Sequence, residues 1–558
     1  MPSYASWLAL GLLTAVSRAA PLVERATNKL VFAHFMMGTQ SARTSSKDYD
    51  TDMQQAKAAG IDAFALNIGL DSYTETQLNY AYQSAADNGM KVFISFDYNY
   101  YTTGSESAVA TLIKKYSSSA GQLNVDSKPF VSTFNGNQET AKTLDAPALK
   151  SAAGDIFLVP NYQPKKDGAD MSLDGIDGAF NWMAWPNNGA NRAPTASVNL
   201  TVENGDTDYT NWLGTKNYMA PISPWFFTDF DQYDKHWVFP ADLLWFNRWN
   251  NILSLAPRFV EIITWNDFGE SHNVADLPSG STVDGAAWSA DQPHSGWLEM
   301  ALPYIAAFKA GDKTPTITEE KLVYWYRPSK VADCSKAIEG KESLQDAVFV
   351  VALLKSAGTV TVTSGSTTQT FEAKAGAQAF QVPMAYGKQT FKLTRSGADV
   401  FSSTGSKEIA ASNCPVASTN LNAIVGVAKG SVAVDSPSSA PASSAAPSSS
   451  AVASASSSII KTLPPTTAPS ATATNSTTVP KVSSSAAVAT SASAPVPTTL
   501  SSVQYTATTK ATSTTAGSGQ CVTITASEQI RPTNCLASGQ HWAGPGDTPS
   551  PCDGATTC

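Results

Sequence analysis

Between residues 29 and 310, eight short apolar runs alternate with helix-like segments, and this alternation restricts the possible folds more than any other feature of the chain. The runs are 29–35, 63–69, 91–98, 129–134, 156–162, 179–185, 218–227 and 259–264. They are rich in β-branched and aromatic residues and bounded by Gly, Pro, Asn or Asp, as strands are. Thr74-Glu75-Thr76-Gln77 reads as a capping box opening a helix with Leu78, Ala81, Tyr82 and Ala85 on one face, closed by Asn88-Gly89. Residues 50–59 end at Gly60 in the same way, and the amphipathic stretch 241–255 stops before Pro257. Eight strand–helix units over this length predict an α/β fold, a (β/α)8 TIM-like barrel spanning 29–312. The competing architecture is an open doubly wound sheet. That fold needs no eighth strand and usually shows a Gly-rich first turn, which is missing here.

From about residue 316 the pattern shifts to short alternating runs with Gly-containing turns, which predicts a β-sandwich accessory domain over 316–430, packed on the barrel. Cys334 and Cys414 bracket it and are expected to pair. The other cysteines, Cys521, Cys535, Cys552 and Cys558, crowd into residues 520–558, a small Cys-rich module too short for an apolar core without disulfides. Trp542 is its one ring suited to stacking on a sugar. Residues 435–519 are rich in Ser, Thr, Ala and Pro with almost no charge, the composition of a disordered, O-glycosylated linker. Residues 1–20 read as a secretory signal peptide: an apolar run from Trp7 to Val16, too short to span a bilayer, then Ser17-Arg18-Ala19-Ala20 for cleavage. Asn199-Leu200-Thr201 and Asn475-Ser476-Thr477 are N-glycosylation sequons. The chain is therefore expected to be secreted, extracellular or associated with a cell wall.

A net charge of −9 without a basic stripe argues against nucleic acid and against anionic membranes. It suits a neutral polysaccharide partner, bound by a monomer. No cofactor is implied, and no metal, since neither a His-x-x-x-His pair nor an acidic calcium loop stands out. No cysteine precedes residue 334, which leaves the barrel without a thiol nucleophile.

In a barrel of this kind the chemistry sits where strands end. The predicted ends carry His34, then Asn67 and Asp71, then Asp97 and Tyr98 with Tyr100 and Tyr101, then Asn161, Trp182 and Trp185, Trp225, and last Trp265-Asn266-Asp267-Phe268-Gly269-Glu270 with His272. Aromatic faces suit the C–H faces of sugars, while carboxylates and amides suit their hydroxyls. A phosphate site would instead want basic groups and Gly-rich turns. Asp97, Asp267 and Glu270 are the candidate catalytic acids. Glycoside hydrolysis needs two carboxyl groups, about 6.5–9.5 Å apart for inversion and about 5 Å for retention. Glu270 has the longer reach, and Phe268 and Trp265 are expected to give it apolar surroundings that raise its pKa, so it is assigned the general acid and Asp267 the base. Asp97 would position water or hold a sugar hydroxyl. His34 is either a hydrogen-bonded core histidine or a contact in the innermost subsite, and His272 either tunes Glu270 or is solvated.

Long runs resemble the fungal α-1,3-glucanases (mutanases), family 71 of the glycoside hydrolases. They include Leu30-Val31-Phe32-Ala33-His34-Phe35-Met36-Met37-Gly38 and Ala56-Lys57-Ala58-Ala59-Gly60-Ile61-Asp62-Ala63-Phe64-Ala65-Leu66-Asn67-Ile68-Gly69. The likeness continues through Asn88-Gly89-Met90-Lys91-Val92-Phe93-Ile94-Ser95-Phe96-Asp97 and the segment from Trp265 to Glu270, covering about 29 to 415. The resemblance implies the barrel and sandwich, endo-type hydrolysis of α-1,3-glucan with inversion, Asp267 and Glu270 as the catalytic pair, and a further important carboxylate at Asp97. Residues 521–558 do not match the glucan-binding module that members of the family often carry after such a linker. The competing functions are a barrel hydrolase acting on another cell-wall glycan and a non-catalytic wall-binding protein.

Overall fold

Eight parallel strands build one curled sheet in a computed structural model that describes residues 29–430, except 167 and 415–418. The expected signal peptide, the 435–519 linker, the Cys-rich module and the Asn475 sequon lie outside the described residues. The strands are β1 (Leu30–Met36), β2 (Ala63–Ile68), β3 (Lys91–Asp97), β4 (Lys128–Phe134), β5 (Phe157–Val159), β6 (Gly178–Phe180), β7 (Asn217–Ile222) and β8 (Phe259–Ile262). Their order is β5-β4-β3-β2-β1-β8-β7-β6, so the first strand pairs with both the second and the eighth. The two end strands meet through backbone hydrogen bonds, Asp177 N–H to Leu158 O at 2.8 Å and Phe180 N–H to Pro160 O at 2.9 Å.

Helices α1 (Asp50–Ala58), α2 (Thr74–Asn88), α3 (Glu106–Tyr116), α4 (Ala146–Ala153), α5 (Val202–Leu213), α6 (Leu244–Leu255) and α7 (Ser295–Ala310) fill the connections. The β5–β6 crossover is the exception to the eight expected units and holds only two-residue ribbons. The expected capping box does not form: α2 starts at Thr74, but its N-cap is Tyr73, without a side-chain cap. Gln77 is drawn into the core instead, where its side chain accepts from the Tyr49 hydroxyl and donates to Arg43 O.

Side chains alternate between the two faces of each strand. The outward set, which includes Val31, Phe64, Ile94, Leu158 and Val260, packs under the helices. The inward set begins with Phe32, Phe93, Phe130, Phe157 and Phe259, whose rings lie 4.7–6.0 Å apart, and plugs the interior. Burying each ring contributes about 1.5–3 kcal/mol, so the plug is a stable floor. Further along the same inward faces the residues turn polar: His34 on β1, Asn67 on β2, Ser95 and Asp97 on β3, Glu261 on β8. The interior is therefore open to chemistry only at the carboxyl ends of the strands.

Beyond α7 the chain forms two four-stranded antiparallel sheets. One contains β9 (Lys321–Tyr326), β10 (Ala347–Leu354), β13 (Gly376–Pro383) and β16 (Ile424–Lys429). The other contains β11 (Gly358–Ser364), β12 (Thr367–Ala373), β14 (Gln389–Arg395) and β15 (Ala398–Thr404). Leu322, Val350, Val360 and Phe391 belong to a core the two sheets share. The other face of β9 and β10 joins the outer core of the parallel sheet, and the Trp325 indole donates to Asp242 O at 2.8 Å. Cys334 and Cys414 are disulfide-bonded, as their bracketing positions suggested.

Candidate active site

The loop after β8 carries two carboxylates in a frame of short hydrogen bonds. Asp267 N–H donates to Thr264 Oγ1 at 2.9 Å, and Glu270 N–H donates to Asp267 Oδ1 at 3.0 Å. Thr264 Oγ1 lies 3.0 Å from His272 Nδ1, and His272 Nε2–H donates to Glu270 Oε2 at 3.0 Å. An ionised Glu270 can only accept, which assigns a proton to Nε2, while the Thr264 hydroxyl can serve Nδ1 as donor or acceptor. His272 is fully buried, with Trp185 and Phe226 each 5.5 Å from its ring. One oxygen of Asp267, one of Glu270 and a nitrogen of His272 all lie within 4.8 Å of one another.

On the opposite flank of Glu270, Lys235 Nζ approaches Oε1 to 2.9 Å. Lys235 rides on a hairpin (Phe227–Phe230 with Lys235–Val238) inserted between β7 and α6. The hairpin is fixed toward its tip, where Lys336 pairs with Asp229 at 2.7 Å and Asp231 at 3.0 Å, and at its base, where Val238 N–H donates to Glu339 O at 2.9 Å. Asp229, Asp231 and His236 cluster as a cation site would, and the Lys336 ammonium serves that cluster as its cation.

The two acids are pushed apart. The side chains are only 18% and 15% exposed. Burial raises the Asp267 carboxyl, and the neighbouring Glu270 charge adds to that against the pull of His272 and Lys235. Burial acts on Glu270 too, but the His272 hydrogen bond and the Lys235 charge overcome it and hold this carboxyl at about 2. This ordering is opposite to the expectation that Glu270 sits in apolar surroundings with a raised pKa. Trp265 turns away from it, and a histidine and a lysine flank it instead.

Asp97 faces the interior at the end of β3 and is almost fully buried. Desolvation raises it to about 6 against the Asn99 N–H at 2.8 Å and the nearby His34. His34 is fully buried and hydrogen-bonded through Nδ1 to Glu261 at 2.7 Å, with its ring 4.9 Å from Trp182. Trp182 also approaches Phe134 at 4.5 Å and His272 at 6.3 Å, so it floors the space between His34 and the carboxylates. Asn67 and Asp71 lie at the end of β2, the first buried and the second exposed.

Five expected sugar contacts do not face this space. Trp265 lies in the outer core and donates to Asp52 Oδ1 at 2.9 Å, its ring 5.0 Å from Phe64. Trp225 donates to Leu421 O and stacks near Trp297, tying the parallel sheet to the C-terminal sheets. Tyr98, fully buried, points outward into the same strand–helix layer. Trp185 is walled in between Phe239 and His272, with its indole bonded to Trp225 O. Asn161 uses its amide to join backbone at Asn135 and Phe180, knitting the rim. The three indoles and the Asn161 amide have each found a partner inside the protein, as such groups do when buried, whereas the Tyr98 hydroxyl is buried without one. Two residues were missed. Glu261 was visible as a lone acid in an apolar strand, whereas Lys235, 35 residues before Glu270, carried no sequence signal.

Residues 27–438 match the family described as glycosyl hydrolase family 71. A mutanase of Penicillium rubens is 38% identical over 427 residues, covering 75% of this chain and 93% of the relative. The glucan endo-1,3-alpha-glucosidase agn1 of Schizosaccharomyces pombe is 36% identical over 423 residues, covering 72% and 95%. The ascus wall endo-1,3-alpha-glucanase of the same yeast is 27% identical over 391 residues, covering 65% and 88%.

Proposed function

The chain belongs to glycosyl hydrolase family 71, and from that premise we propose that it hydrolyses internal α-1,3-glucosidic bonds of cell-wall glucan at the site formed by Asp267, Glu270 and Asp97. The observation that carries the reading is the split between the two loop acids, one pushed toward its protonated form and its neighbour locked ionised. Environments that drive paired carboxyls apart assign acid and base roles. We take the curled sheet as a (β/α)8 barrel and the two C-terminal sheets as a β-sandwich bracing its outer face.

Asp267 gives its proton to the glycosidic oxygen as the bond to the anomeric carbon breaks. Glu270, ionised between Lys235 and His272, stabilises the positive charge that develops on the sugar. Family membership implies inversion. The oxygens of Asp267 and Glu270 come within 4.8 Å, closer than the about 6.5–9.5 Å that leaves room for an attacking water between acid and base. We assign the base to Asp97, which faces the same interior and whose pKa of about 6 suits taking a proton from water near neutral pH. Trp182, Asn67 and Asp71 surround the sugar being cleaved, with His34 buried behind Trp182.

Secretion follows from the signal-like residues 1–20 together with a wall enzyme among the relatives. No helix among the described residues is long and apolar enough to cross a membrane. The test is reducing-sugar release from insoluble α-1,3-glucan, α-1,4-glucan, β-1,3-glucan and chitin. Release from the first alone, lost in Glu270→Gln, is expected; equal release from another polymer would reassign the substrate.

A further inference from the structure

The mouth of the site gathers apolar side chains that folding alone gives no reason to leave in water. Six large hydrophobic residues among those described are well exposed, and three of them, Leu70 at 66%, Tyr100 at 60% and Tyr233 at 57%, stand on loops at the carboxyl ends of the strands. Each tyrosine has a built seat. The Tyr100 ring rests on Gly69, where a Cβ would come within 3.1 Å of it. Its backbone N–H donates to Asp97 O at 2.9 Å. Tyr233 tips the hairpin two residues before Lys235, its ring 5.5 Å from Phe230. Phe230 lies against Gly269, where a Cβ would approach it to 3.0 Å, and 4.8 Å from Trp288. A Cβ at Gly69 would press on the Tyr100 ring, and one at Gly269 on the Phe230 ring that backs Tyr233. Tyr100 interacts electrostatically with Asp97, Asp71, Tyr233 and Lys235, so the two rings overlook the same space. One is anchored to the strand bearing Asp97, the other to the loop bearing Glu270.

We propose that Tyr100 and Tyr233 are sugar-stacking platforms on opposite sides of the scissile bond, together forming one track for an α-1,3-glucan chain. The proposal rests on the substrate reading above and deepens it. An exposed aromatic face offers apolar area at little cost in side-chain entropy, and a pyranose C–H face covers it well. A chain crossing from one ring to the other passes over Asp97, Asp267 and Glu270. Glucose units on both sides of the bond are then needed for full rate, so internal bonds are cut in preference to terminal ones.

The test uses the full chain and soluble α-1,3-linked gluco-oligosaccharides of graded length. Tyr100→Ala and Tyr233→Ala should each lower kcat/KM about tenfold, equivalent to about 1.4 kcal/mol, chiefly through KM, and should move the position of cleavage along the oligomer. Tyr100→Phe and Tyr233→Phe, which keep the ring, should stay within about twofold of wild type. Tyr386→Ala, on an exposed tyrosine of the C-terminal sheets, should change nothing. Alanine variants that match wild type, or phenylalanine variants as damaged as alanine, would overturn the platforms while leaving the glucan reading intact. A wild-type enzyme inactive on every α-1,3 oligomer would overturn both.

Discussion

Replacing Lys235 with Met should move one limb of the pH–rate profile and leave the other in place. The ammonium lies 2.9 Å from Glu270 Oε1. Two unit charges at that distance interact by about 1.4 kcal/mol in a water-like dielectric and by about 6 kcal/mol at an effective dielectric of about 20. The lysine side chain is 39% exposed, and screening favours the lower figure. Glu270 should therefore climb by about one unit, to about 3, and remain ionised wherever the enzyme works. Its charge is then unbalanced. Asp267, already raised by burial and by Glu270, also loses the cation that lowered it, and it binds its proton more tightly. Because Asp267 works protonated, the alkaline limb of kcat/KM moves to higher pH. The acid limb, set by Asp97 at about 6, stays in place, since burial, the Asn99 hydrogen bond, His34 and Lys142 are the main influences on Asp97. Initial rates on α-1,3-gluco-oligosaccharides from about pH 4 to about pH 9 at constant ionic strength measure both limbs. Lys235→Arg should restore the wild-type profile. An alkaline limb that stays still or moves to lower pH, or an acid limb that moves instead, would refute the placement of the proton on Asp267.

Asp97→Asn should cut kcat by about 10²–10⁴-fold while stabilising the fold. Burial raises the Asp97 carboxyl to about 6, so the native state loses stability as pH climbs from the ordinary carboxylate value toward 6. Urea unfolding should show the variant ahead by about 1–3 kcal/mol at pH 7 and level with wild type near pH 3.5. Glu261→Leu leaves His34 Nδ1 buried without a partner and should cost about 1–3 kcal/mol more than Glu261→Gln in the same assay, the Gln amide keeping the hydrogen bond. Replacing Cys334 and Cys414 by Ser opens a loop of 80 residues and should lower unfolding free energy by about 2–4 kcal/mol, with kcat unchanged below the transition.

Much of this arrangement is legible from strand periodicity. All eight expected strand positions hold parallel strands, because runs such as 63–69 and 91–98 are buried on both faces and read as continuous apolar segments. The late runs at Ala398–Thr404 and Ile424–Lys429 escape such reading, the first because most of it faces solvent. At the site, the alternation that puts Phe93 inward also puts Asp97 inward, so in-strand residues could be placed by counting. Residues past the strand ends could not. Trp265 and Trp225 look like sugar platforms in a list of rim residues, yet the turns after β7 and β8 swing their rings outward into the core. The charge state of Glu270 was hidden for a related reason: Lys235 arrives from a hairpin whose position depends on Lys336, about 100 residues further along. Long-range pairs of this kind leave no periodic trace.

The most direct measurement is a proton NMR time course of α-1,3-gluco-oligosaccharide hydrolysis by wild type, Asp267→Asn and Asp97→Asn, with each variant's folding checked by its melting transition. Wild type should release shorter α-1,3-oligosaccharides whose first-formed reducing end is the β-anomer, and both folded variants should release almost none. A first-formed α-anomer, or wild-type rates in a folded Asp267→Asn protein, would contradict the roles assigned to the three carboxylates.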